Sequence, residues 1–204
     1  MDADHAAGDL DVIRRVLDAT HRRVDPHMFH FILWGIVVLL WYPLANWFEL
    51  RGESRFQGIL MGVAMGVGTL GSFVGEWLAH RSPRLKSSNT QLADQCVRLV
   101  WMFMGAAGIL SAVLPLANPG AARFIPHLWG FAYSLMAITL GIVYSAEFFW
   151  SGLGIFAAAV AALFLLPYWG FILGVAMGLG ILIPGVIAER RVSRLQREEL
   201  HVEA

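Results

Sequence analysis

The chain has 204 residues, enough for one domain, of which 57% are hydrophobic and only 15% charged. That balance lies outside the soluble range, and no residue between Glu147 and Glu189 is charged. A span takes about 20 apolar residues, so this block alone holds two transmembrane helices folded at Pro167. Net charge is zero and the single Cys96 excludes an intrachain disulfide. Basic residues sit in tails and loops, which excludes a nucleic-acid surface.

Residues 1–8 read as a tail. From Asp9 the pattern predicts a short amphipathic helix with Leu10, Ile13, Leu17, Thr20 and Val24 on one face and Arg14, Arg15 and Arg22 on others. Pro26 ends it. A basic amphipathic helix ahead of a span lies on the lipid headgroups or docks a partner. The apolar run that starts near Phe29 lacks a small-residue cleavage site, so no cleavable signal peptide is expected.

Six spans follow, at about Phe29–Trp47, Gln57–Ala79, Val97–Leu116, Phe124–Ala146, Phe149–Leu166 and Tyr168–Ala188. The expected fold is an all-α integral membrane bundle, six transmembrane helices arranged as three consecutive hairpins. Residues 1–27 form a tail carrying the amphipathic helix, 28–188 the bundle, and 189–204 a charged C-terminal tail that continues helix 6. Tryptophans, Trp47, Trp77, Trp150 and Trp169 among them, fall mostly near span ends, as an interfacial aromatic belt requires. Turns are expected at Tyr42-Pro43-Leu44-Ala45-Asn46, at Leu114-Pro115-Leu116-Ala117-Asn118 and at Leu166-Pro167-Tyr168-Trp169. Arginines crowd the N-terminal tail, the loop holding Arg81, Arg84 and Lys86, and the C-terminal tail. The positive-inside rule then puts both termini in the cytoplasm and the proline turns outside.

Helices 2 and 6 share Gly-x-x-x-Gly-Val-Ala-Met-Gly-(Val/Leu)-Gly, and both run inward, which fits a parallel repeat of hairpins. A rival match, Leu33-Trp34-Gly35 against Leu128-Trp129-Gly130, favours an inverted repeat. Gly58, Gly62 and Gly66 share one helix face, as do Gly170, Gly174 and Gly178. Small residues let helices approach at backbone distance, so helices 2 and 6 are expected to pack together at the bundle centre; an oligomer seam or a narrow pore is the alternative.

Glu76 is the only acid well inside a predicted span, in a stripe Thr69, Ser72, Glu76, His80 along helix 2. Its expected ion-pair partner is Arg98 at the start of helix 3, with Asp94, Glu147, His27 and His30 on the same side. The gathering permits three readings: a structural polar knot, a vestibule for an ion or small solute, or a metal or haem site using Glu76, His80 and His30. His127 stands apart, beside Pro126 and Trp129, and reads as interfacial. Tyr133, Ser134, Thr139, Tyr144 and Ser145 are candidates for hydrogen bonds between helices.

Asp9-Leu10-Asp11-Val12-Ile13-Arg14-Arg15, followed by Phe31-Ile32-Leu33-Trp34-Gly35-Ile36, resembles a loose group of bacterial multi-span proteins that open with such a helix. The three-hairpin layout, with Leu116-Ala117-Asn118-Pro119 at a turn, resembles the HdeD-type six-helix family linked to acid stress. Neither resemblance carries catalytic residues over. The expected function is that of a non-catalytic bacterial inner-membrane protein acting by interaction, as subunit, scaffold or stress-linked accessory protein. Its expected partners are the bilayer and either itself or another membrane protein, with no nucleic acid. No cofactor is expected. A small-solute or ion channel or transporter on the helix 2/helix 6 face, and a metal- or haem-binding protein, are the alternatives.

Overall fold

In lipid every backbone polar group must find its partner within the chain, so long apolar segments become helices. The computed structural model describes residues 28–81 and 90–202 and builds them from helices. The amphipathic helix expected from Asp9, and His27, lie outside the described residues. Six helices are long and apolar enough to cross a membrane: α1 (Met28–Leu50), α2 (Ser54–Arg81), α3 (Thr90–Ala117), α4 (Ile125–Val143), α5 (Ala146–Phe164) and α6 (Trp169–Val202). Short 3-10 turns at Pro119–Phe124 and Leu166–Tyr168 join α3 to α4 and α5 to α6.

The proline turns need correction at two of three places. Pro43 lies inside α1, and the chain turns only at Arg51-Gly52-Glu53, where Gly52 has φ 74°. Pro115 likewise lies inside α3; Asn118 then caps the next turn by accepting from Gly120 N. Pro43 survives within its span with α6 packed over it at Gly174, since backbone groups freed in a span must be satisfied or covered by neighbouring groups. Only Pro167 sits in a turn proper.

The three hairpins α1–α2, α3–α4 and α5–α6 each pack as pairs, but the most extensive contacts are α1 on α6 and α4 on α5. Phe31, Val38 and Tyr42 of α1, Met136 and Leu140 of α4, Phe148 and Ile155 of α5, and Leu173, Met177 and Ile181 of α6 form the core. Phe31 meets the Phe148 ring edge-on at 5.3 Å. The helices α2 and α3 stand outside this core, one on α1 and the other on α4. Only 6% of the residues in each of these two spans are buried, against 44% for α6.

Candidate functional site

Gly170, Gly174 and Gly178 of α6 pack on α1, not on α2, whereas Gly180 meets Ser151 and Ile155 of α5. A Cβ at Gly178 would stand 2.6 Å from Leu39 Cβ, one at Gly174 2.5 Å from Pro43 Cδ, and one at Gly170 would overlap Asn46 Cβ and the Tyr42 carbonyl. Gly35 of α1 answers from the other side, with Leu182 Cβ 2.9 Å away. The expected α2–α6 pairing at the bundle centre is therefore replaced by an α1–α6 seam. The physical reason is that α1 offers a surface shaped to the glycines: a proline ring, a tyrosine backbone and Leu39, one turn apart.

Asn46 locks the Pro167 end of that seam. It is 1% exposed; its Nδ2 donates to the Pro167 carbonyl at 2.9 Å, and its Oδ1 accepts from Gly170 N at 3.0 Å. The first N–H groups of a helix have no intrahelical acceptor, so a side chain of α1 caps α6. Beside it Trp169 Nε1 donates to Glu49 Oε2 at 2.8 Å, and the Tyr42 and Trp169 rings meet at 5.6 Å. Sequence reasoning missed Asn46 as a buried linker because Pro-Leu-Ala-Asn reads as a turn. The available signal was a polar side chain on the same helix face as Leu39 and Tyr42.

Two more seams follow the same logic. Ser134 donates to the Gly152 carbonyl at 3.0 Å between α4 and α5, and Ser151 donates to the Gly180 carbonyl between α5 and α6. Of the polar residues expected to bridge helices from α4, Ser134 does so, whereas Thr139 returns to the Leu135 carbonyl of its own helix. His127, read from the sequence as interfacial, lies near the start of α4 and is 2% exposed, and neither ring nitrogen has a hydrogen-bond partner among the described residues.

The stripe on α2 divides. Ser72 turns to α1, where it accepts from Trp34 Nε1 at 3.1 Å, while Thr69 is exposed. Gly68, Gly71 and Gly75 face α1 as well, receiving Trp34, Leu33 and Phe29. Gly62 and Gly66 lie on the opposite face, and nothing stands within 4 Å of a Cβ built at either. Glu76 and His80 belong to α2, but their side chains, like that of Asp94 and the surroundings of Gly58, lie outside the described residues. Arg98 is exposed on α3, and α2 and α3 do not pack along their length. Glu147 pairs instead with Arg191, at 2.5 Å, tying the start of α5 to the extension of α6. His30 lies on α1 with its ring against Phe29 at 6.0 Å. Among the described residues no three of His, Cys, Asp and Glu gather as a metal site.

On α3 the face toward α4 carries Phe103, Met104 and the buried Ala107. The other face carries Arg98, Met102, Gly105, Ile109 and Ala112, all exposed, and a Cβ at Gly105 or Gly108 would meet nothing within 4 Å. The molecule thus presents a glycine-sealed core flanked by two helices, each with glycines that meet no neighbour among the described residues. No protein-family model matches the chain, and neither a curated protein nor a solved structure matches it.

Proposed function

We propose that this is a multi-pass protein of a bacterial inner membrane that acts by interaction, as a subunit or scaffold, rather than by catalysis. The observation that carries this reading is the contrast between seams. Among the described residues, the glycine faces turned to the core are filled by a neighbouring helix, whereas Gly62 and Gly66 of α2 and Gly105 and Gly108 of α3 stand open. Helices gain nothing from hydrophobic burial in lipid, and close packing at small residues is what associates them. The crowding of arginine in the N-terminal and C-terminal tails, with Arg81, Arg84 and Lys86 at the α2–α3 connection, supports cytoplasmic termini.

The test is purification in mild detergent followed by native mass spectrometry, beside a flux assay in proteoliposomes. A bound protein chain, lost when Gly62 and Gly105 are both changed to Leu in a protein that still folds, is the expected result. Solute flux by a lone chain would overturn the reading in favour of a channel or transporter.

A further inference from the structure

Independently of what packs on α2 and α3, the geometry of α6 points to a binding site for an anionic phospholipid. The headgroup phosphate sits on Arg190 and Arg194, and an acyl chain runs along Ile187, Ile183 and Leu179. With 34 residues, α6 is about 51 Å long at about 1.5 Å per residue, whereas the hydrocarbon core is about 30 Å thick. The helix opens at Trp169, directly after the Pro167 turn. About 20 residues then cross the core, and its boundary falls near Ala188. Arg190, Arg191 and Arg194 follow that boundary, at headgroup depth.

One face of the helix carries the succession of surroundings that a lipid needs. At about 100° per residue, Leu179, Ile183, Ile187, Arg190 and Arg194 fall within a sector of about 80°. All five are exposed. Other sides of α6 are occupied: Gly174, Gly178 and Gly185 meet α1, and Gly180 meets Ser151 and Ile155 of α5. The arginines divide the work. Arg191 is held by Glu147 of α5, which fixes the rotation of the extension about its axis. Arg190 and Arg194 pair with no acid among the described residues. Glu189 lies about 100° round the helix from Arg190, and Glu198 comes about 6 Å further from the bilayer than Arg194. Two guanidinium forks one turn apart suit the oxygens of a single phosphate. A choline headgroup brings its own cation to the same place and is disfavoured. Soluble phosphate has no chain to cover the apolar stripe, so a lipid satisfies both halves of the face.

The experiment releases the full-length chain from nanodiscs of equimolar phosphatidylglycerol and phosphatidylcholine with matched acyl chains, and counts retained lipids by native mass spectrometry. Phosphatidylglycerol should be retained over phosphatidylcholine by about tenfold, and Arg190→Gln with Arg194→Gln should bring the ratio within about twofold of parity. Either change alone should lower it by about threefold, so the test does not hang on the double variant folding. Arg98→Gln removes an exposed arginine of α3 from the same side of the membrane and should leave the ratio unchanged. Excess inorganic phosphate should displace nothing. An absence of preference, or a preference indifferent to Arg190 and Arg194, would overturn the proposal. An equal loss with Arg98→Gln would replace the site by a diffuse charge effect. Displacement by inorganic phosphate would make it a site for free phosphate and overturn the lipid.

Discussion

Asn46 of α1 accepts a hydrogen bond from the backbone N–H of Gly170, the second residue of α6, so the first span caps the last. Changing Asn46 to Ala leaves that N–H without its partner at a buried position and also releases the carbonyl of the exposed Pro167. The expected cost is about 1–3 kcal/mol, the usual penalty for orphaned buried polar groups. Thermal unfolding in detergent measures it, and an unchanged midpoint would show that the bonds contribute nothing net.

Glycine substitutions should separate filled from open faces. Gly178→Ala drives a methyl against the Leu39 backbone and forces α1 and α6 apart, with an expected loss of about 1–3 kcal/mol or more. Gly154→Ala on α5 meets nothing within 4 Å and should fall within about 0.5 kcal/mol of the parent. Parallel melts of the two variants check the difference.

Trp34 and Ser72 hold α2 on α1 by one hydrogen bond between helices. Such bonds average about 0.6 kcal/mol in membrane proteins, so Ser72→Ala should be mild. Gly68→Val should be much worse, because the Trp34 ring already occupies that space, with Cη2 2.5 Å from a built Cβ. Protease accessibility of α2 in detergent reports whether it has detached.

His127→Leu should hold or raise stability. A buried imidazole without hydrogen-bond partners among the described residues carries a desolvation penalty that an apolar side chain of similar size escapes. A clear fall in melting temperature would show that the ring nitrogens are engaged in the folded protein.

Glu147 and Arg191 are half-exposed or nearly so, and exposed ion pairs contribute about 0–1 kcal/mol. Glu147→Gln should therefore shift stability by less than about 1 kcal/mol, and by less still in high salt. Chemical denaturation at two ionic strengths tests both statements.

The six spans and their pairing into hairpins were legible because apolar length and loop spacing determine them almost alone. Partner choice was not. A glycine stripe announces a close approach without naming what approaches, and the surface that fits Gly174 is the Pro43 ring, which reads in sequence as a turn. In water Tyr-Pro-Leu-Ala-Asn is turn chemistry; within a buried span the helix runs through it to Gly52, whose positive φ marks the true reversal. Ser72 shows the same limit on a smaller scale. Periodicity groups it with Thr69 and Glu76, but the Trp34 indole, unreadable from local sequence, draws it to α1.

The α1–α6 seam has a consequence for biogenesis. Chains are made from the N-terminus, so α1 enters the membrane well before its principal partner exists. Until Trp169 and Gly170 emerge, Asn46 has no backbone N–H of α6 to cap and the Tyr42-Pro43 surface faces lipid or whatever insertion machinery shields it. Of the six spans α6 is synthesised after the other five and is the one that seals α1, so a chain truncated before α6 would leave α1 exposed to quality control.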